Sequence, residues 1–320
     1  MRILHISDIH FQTPICLTPD MDPDEAFRLR LEEDLAELCD DGIGVDIILV
    51  GGDIAYKAAP GEYAAAKNWL LKLAEICQCP ESRVLTVPGN HDVDWNTCAQ
   101  VSVSNAQEAV AGKNGFHERN RELHRQLGDA ASAQALFRPM EAYNEFAAQF
   151  QCNVFPERPF WTQHFDLEQD VKLKVVGLTS TLLSGGGGRD KTPGKLFLGE
   201  RQTVLRPDPD VVTLVLCHHP NTRPAASDAR EPSPKPATAT PVSCWSRPPG
   251  VTGMQLASGR RFNVDMRDYQ KWLSTVPGTP RFGYASGTAS WQRAARTPAS
   301  RSSPSRANWL ALFGTSLVSQ

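Results

Sequence analysis

Four short runs of Ile, Val and Leu punctuate the first 220 residues: Ile3–Ile6, Val45–Val50, Val84–Val87 and Val211–Leu216. Continuous rather than alternating apolarity predicts strands buried on both faces, as in a sheet covered by helices. Between the first two runs, Phe27, Leu31, Leu35 and Leu38 recur at helical spacing, with Asp24 and Glu25 at the expected N-terminus. Residues 64–77 read as a second helix. The order strand, helix, strand, helix, strand is the signature of an α/β fold.

The rest of the chain divides by composition. Residues 97–151 are rich in Ala, Gln and Glu and carry no strand pattern, which predicts two or three helices inserted over the sheet. A further strand pair is expected over 160–165 and 171–179, then a Gly-rich loop over 184–199 and a helical turn at 202–205. Residues 221–320 hold 13 basic and 4 acidic residues, net +9, against −12 for residues 1–220. This last stretch is rich in Arg, Pro and Ser, sustains no helical or alternating period, and does not read as the completion of a folded domain. The expected organisation is therefore a domain over 1–220, with an insertion at 97–151, followed by an irregular basic segment.

The residues just beyond each apolar run matter more than the run itself. Ile3–Ile6 leads into Asp8-Ile-His10, and Val45–Val50 into Gly51-Gly52-Asp53. Val84–Val87 leads into Pro88-Gly89-Asn90-His91-Asp92, and Val211–Leu216 into Cys217-His218-His219-Pro220. Ligands of open α/β sheets gather at the carboxyl ends of strands, so groups far apart in sequence can converge there. Asp8, His10, Asp53, Asn90 and His218 supply the carboxylate, imidazole and carbonyl oxygen donors that divalent metals of intermediate hardness take. Glycines at 51, 52 and 89 allow the sharp turns that aim the following side chains.

Asp-x-His, Gly-Gly-Asp, Gly-Asn-His-Asp and His-His-Pro, in that order, resemble the calcineurin-like metallophosphoesterases over about residues 1–220. The stretch Val87-Pro-Gly-Asn-His-Asp-Val-Asp-Trp95 is the most specific part of the likeness. The resemblance implies two packed mixed sheets flanked by helices, and two divalent metal ions, with Mn2+, Fe2+/Fe3+ and Zn2+ all admissible. It places Asp8 and His10 on one metal, Asn90 and His218 on the other, and Asp53 between them. It also implies that His91 protonates the leaving group or stabilises phosphoryl charge, with Asp92 orienting His91. The activity implied is hydrolysis of phosphate mono- or diesters, with a phosphate ester as the substrate.

The same likeness exposes a gap. The family closes its site with a late Gly-His-x-His, one imidazole for each metal, whereas the eight histidines here end at His219. Two readings of residues 221–320 stay open. Out-of-frame translation of a GC-rich gene gives this kind of composition and is preferred. A divergent tail would instead offer Asp265 or Asp268 as ligands, or a basic segment for nucleic acid. The alternative function is accordingly an inactive member of the fold that acts as a nucleic-acid or protein binding module.

Other features are weaker. His219 is expected to support the site, His5 to be a satisfied core histidine, and His117 and His124 to share one solvated helix face; His164 has no identified partner. Tyr56 and Trp95 follow ligand-bearing loops and can either stack on a base or pack. Gly185–Thr192 lacks the second glycine of a phosphate-binding loop, since Asp190 stands there, and reads as a surface loop. The eight scattered cysteines predict free thiols in a reducing compartment. With a charged residue at Asp8 and no run of 18 apolar residues, no leader or membrane span is expected, and the chain reads as cytoplasmic.

Overall fold

The computed structural model describes residues 2–18, 21–40, 42–166, 172–185, 196–203 and 211–219, together with the backbone of Leu312–Phe313. Most of the expected Gly-rich loop, and residues 221–320 apart from that dipeptide, lie outside the described residues.

Strand β1 (Ile3–Ile6), helix α1 (Glu25–Cys39), β2 (Ile47–Val50), α2 (Pro60–Ile76) and β3 (Val84–Thr86) alternate as expected. Helical crossovers force neighbouring strands to run the same way, and both β1–β2 and β2–β3 are parallel. The backbone of a two-residue strand, β7 (Leu312–Phe313), joins the other edge of β1, also in parallel. A second sheet has the order β4 (Phe160–Asp166), β5 (Lys172–Leu178), β6 (Val211–Leu216). Its first pair is antiparallel and its second parallel. The expected pair of mixed sheets is thus corrected: among the described strands only the second is mixed, because only β4 and β5 are joined without a helix.

The two sheets share one apolar core that includes Leu4, Ile48, Leu85, Trp161, Val175 and Leu214. All four residues of β2 are buried, each worth about 1.5–3 kcal/mol against exposure. Trp161 of β4 donates its indole N–H to the Thr86 carbonyl at 2.9 Å, tying the second sheet to β3. The expectation of two-sided burial fails for β6, where Val212 is 48% exposed while Leu214 and Leu216 are buried. Val212, Leu214 and Leu216 share one face of β6, so it is the first turn of the pleat, at the start of the strand, that meets solvent.

Helix α1 is rotated from the expected stripe. It buries Arg28, Leu31, Glu32, Leu35 and Cys39, and leaves Leu38 36% exposed. The turn is possible because the two charged residues are paired. Arg28 meets Asp22 at 2.5 Å, and Glu32 accepts from Trp69 Nε1 at 2.9 Å and Lys72 Nζ at 2.6 Å. Helix α2 opens with Pro60 at its first position, where the missing N–H costs nothing. It ends with Gln78 in the left-handed region (φ 51°), as the Gln78 N–H reaches Glu75 O at 3.0 Å and the Cys79 N–H reaches Ala74 O at 2.8 Å. Glycine is the residue this helix ending favours. Gln78→Gly is therefore expected to stabilise the fold by about 0.5–1 kcal/mol, measured by urea unfolding.

Residues 97–151 form more helices than expected. A one-turn α3 (Trp95–Cys98) precedes α4 (Val101–Ala111), α5 (Phe116–Gly128), α6 (Ala130–Phe137) and α7 (Glu141–Ala148). Gly115 at φ 77° separates α4 from α5, and Asp129 caps α6 by accepting from the Ser132 N–H at 2.9 Å. Short polar breaks of this kind do not disturb composition, which is why the segment read as fewer helices. It packs on α2 through Tyr63 and Phe146, whose rings stack at 5.2 Å. It also reaches the second sheet through Gln107, which donates to the carbonyls of Leu182 and Ser184 just past β5. A final turn, α8 (Glu200–Thr203), precedes β6 and begins two residues earlier than expected. Among the described residues no helix is long and apolar enough to cross a membrane.

Candidate metal centre

The loops after β1 and β2 run side by side. Asp8, His10 and Phe11 donate their N–H groups to the carbonyls of Gly52, Asp53 and Ile54 at 2.9–3.0 Å. Ile9 points into the core, so Asp8 and His10 project to the opposite side. Asp8, His10 and Asp53 all hold φ between 52° and 55°. Side chains other than glycine occupy that region at a cost of about 1–2 kcal/mol each. The third loop closes in tightly: a Cβ on Gly89 would fall 2.1 Å from Asp53 Oδ1, and one on Gly52 would fall 2.8 Å from His218 Nδ1. Only glycine permits these approaches, and the fourth loop, after β6, brings His218 into the gap they leave.

Asp53 is the centre of the cluster. Its Oδ2 lies 3.4 Å from His218 Nε2 and 3.7 Å from His10 Nε2, while Oδ1 accepts from the His91 N–H at 2.8 Å. Two sets of potential ligand atoms result among the described residues, each within 4.8 Å: His10, Asp53 and His91, and Asp8, Asp53 and His218. Both contain Asp53. The grouping differs from the expected one, since His10 falls with His91 rather than with Asp8.

Each imidazole has a distinct setting. His218 donates from Nδ1 to the Gly51 carbonyl at 2.9 Å, which turns Nε2 toward Asp53. Burial alone would lower its pKa, but the Asp53 carboxylate, with Asp8 and the Gly51 carbonyl, raises it to about 10. Burial likewise opposes ionisation of Asp53, yet His218, His10 and His91 hold its pKa below the ordinary carboxylate range. A cation and the His218 proton would compete for one lone pair. Burial pushes the pKa of His10 down, and its Nδ1 is buried without a hydrogen-bond partner among the described residues. An orphaned buried nitrogen, two carboxylates and three imidazoles, set in a cradle that a Cβ would fill, suit a divalent metal of intermediate hardness. The residues fit the metal that the sequence implies.

Asn90 sits at the same end of the sheet, its Oδ1 accepting from His219 Nε2 at 3.2 Å. His219 in turn pairs through Nδ1 with Ser180 Oγ at 2.8 Å, and burial lowers its pKa to about 3, which keeps it neutral. This is the supporting contact expected of His219.

Asp92 is a correction. It does not touch His91. Its fully buried carboxylate accepts from the N–H groups of Ile54, Ala55 and Gly89 and from Tyr63 Oη, binding the second loop to the third. Burial and the neighbouring Asp53 raise its pKa to about 6. His91 is oriented instead by a carbonyl, its Nδ1 donating to Tyr56 O at 2.9 Å. Residues 90–92 form one tight helical turn, which sends the two side chains in different directions. Tyr56 stacks on the His91 ring at 5.2 Å, and Trp95, 44% exposed, lies tilted against it at 5.3 Å. Both aromatic residues therefore pack, and they pack on His91.

The remaining histidines stand outside the cluster. His117, His124 and His164 are on or near the surface, and His5 is partly buried in β1, where burial lowers its pKa to about 4. Seven cysteines among the described residues carry free thiols. Sequence reasoning missed Tyr63, Ser180 and Glu62, which hold the loops in place; no local motif marks any of them.

No curated protein matches the chain in a similarity search. The profile described as calcineurin-like phosphoesterase matches residues 1–242, which span the whole constellation from Asp8 to His219. The chain belongs to the calcineurin-like phosphoesterase family, whose members use divalent metals to hydrolyse phosphate esters.

Proposed function

We propose that the chain hydrolyses phosphate mono- or diesters at a binuclear divalent centre held by Asp8, His10, Asp53, Asn90 and His218. The observation that carries this reading is Asp53, the carboxylate common to both sets of ligand atoms. A carboxylate that faces imidazoles on two sides is placed to bridge two cations. Bound divalent ions supply Lewis-acid activation of water and neutralise phosphoryl charge.

The chain's own residues do the rest. Gly51 O fixes the His218 ring, and the Asp53 Oδ1 to His91 N–H bond holds the third loop against the second. With Nδ1–H committed to Tyr56 O, His91 presents Nε2 to the cluster, where the doubly protonated ring can pass its Nε2 proton to a departing alkoxide, or stabilise charge on the phosphoryl group, and be left with Nδ1–H alone. His219 keeps Asn90 turned in place. Asp92 serves by bracing the loops, not by contact with His91.

The test is an assay of the purified protein with Mn2+ on 4-nitrophenyl phosphate and bis(4-nitrophenyl) phosphate, alongside a determination of bound metal. Turnover is expected to vanish with chelator and return with Mn2+. A protein that binds no metal and turns over neither ester faster than buffer would contradict the proposal.

A further inference from the structure

Among the described residues, Glu62 is the most heavily engaged buried carboxylate outside the metal-facing loops. It lies in the first turn of α2, wholly buried, nine residues after Asp53. Oε2 accepts from the N–H groups of Tyr56, Lys57 and Ala59 at 2.9–3.1 Å. Oε1 accepts from Thr13 N at 3.0 Å and Thr13 Oγ1 at 3.2 Å. Capping α2 needs only the Ala59 bond. The other four bonds pin two loops, the one after β1 at Thr13 and the one after β2 at Tyr56 and Lys57.

Tyr56 is the residue whose carbonyl receives the His91 Nδ1–H. That carbonyl belongs to the Tyr56–Lys57 peptide, whose N–H, on Lys57, donates to Glu62 Oε2 at 2.9 Å, so the orientation of this peptide depends on the Glu62 carboxylate. A carbonyl can only accept, so as long as it points at Nδ1 the imidazole keeps its proton there and leaves Nε2 for the cluster. Ring stacking from Tyr56 and Trp95 restrains the plane of His91 but cannot choose between its nitrogens.

We infer that Glu62 is a positioning residue for proton transfer: through the Tyr56–Lys57 peptide it holds the His91 ring so that the doubly protonated imidazole gives up its Nε2 proton and keeps the one at Nδ1. The inference rests on the reading of His91 as the group that serves the leaving alcohol. Glu62→Gln is close in shape but brings an NH2 group toward backbone N–H donors, so the clamp on the Tyr56–Lys57 peptide loosens.

Two measurements on the full chain loaded with Zn2+, which is diamagnetic, separate this role from plain stabilisation. The first compares phenyl and 4-nitrophenyl esters. Phenolate needs a proton in order to leave far more than 4-nitrophenolate does, and positioned acids contribute about 100- to 10,000-fold. Glu62→Gln is expected to lower kcat on the phenyl ester at least about 10-fold more than on the nitrophenyl ester. The second reads, by nitrogen-15 NMR, the tautomer of the neutral His91 ring that remains once the Nε2 proton has gone, with Nδ1–H alone in the wild type and a mixture in the variant. If Glu62→Gln does not fold, Glu62→Asp keeps the charge but shortens the reach, and the same two results are expected. Equal losses on both esters, or an unchanged tautomer, overturn the inference. A wild type that cleaves neither ester, with the tautomer change still present, leaves the positioning in force and removes the phosphoesterase reading instead.

Discussion

Asp53→Asn is expected to weaken divalent metal binding by at least about 100-fold and to abolish turnover. The lower bound comes from the 10- to 100-fold loss usual for residues that merely support a ligand, whereas Asp53 faces both ligand sets directly. Asparagine keeps an oxygen to accept the His91 N–H, now at 2.8 Å, so the third loop should stay in place. It puts a neutral group where Oδ2 lies 3.4 Å and 3.7 Å from two imidazoles. The charge that raises the His218 pKa is lost as well, so the pKa of that ring should fall from about 10. Calorimetric titration with Mn2+, with circular dichroism to verify folding, gives the answer. Wild-type affinity in a folded variant would remove Asp53 from the centre of the site.

The second large effect is on the fold. Asp92→Ala is expected to cost about 4 kcal/mol, since four donors lose their acceptor at about 1 kcal/mol each. Three of them are the backbone N–H groups of Ile54, Ala55 and Gly89, and the fourth is the Tyr63 hydroxyl. Against a usual total of about 5–15 kcal/mol, such a loss brings the domain close to unfolding. Asp92→Asn retains one good acceptor and should cost about half as much. Urea unfolding of both variants decides, and a loss below about 1 kcal/mol for Asp92→Ala would mean that water replaces the carboxylate at no great cost.

Strands and metal-facing residues were legible for a shared reason. Buried strands are continuous in sequence, and each of the four read from the apolar runs hands its polar payload to the residues just beyond it, so Asp8, His10, Asp53 and His218 stand out without a structure. Groups whose role depends on a partner elsewhere were not legible. Asp92 adjoins His91 in sequence, and only the tight turn at 90–92 shows that its carboxylate faces the loop after β2. Glu62 looks like any acidic residue in a first helical turn until Thr13, 49 positions away, is found on its other oxygen. Helix α1 misled in a similar way, because Arg28 and Glu32 are buried only by virtue of Asp22, Trp69 and Lys72. The helix count in 97–151 was missed because single residues such as Gly115 and Asp129 set the breaks.

The left-handed backbone at Asp8, His10 and Asp53 has an evolutionary side. At each of these positions glycine would relax the chain, so the amino acid that best serves thermal robustness differs from the one that serves chemistry. Mutation under selection for robustness alone would drift toward glycine at all three. Two aspartates and a histidine at these places set backbone strain against the side chains that the proposed chemistry requires.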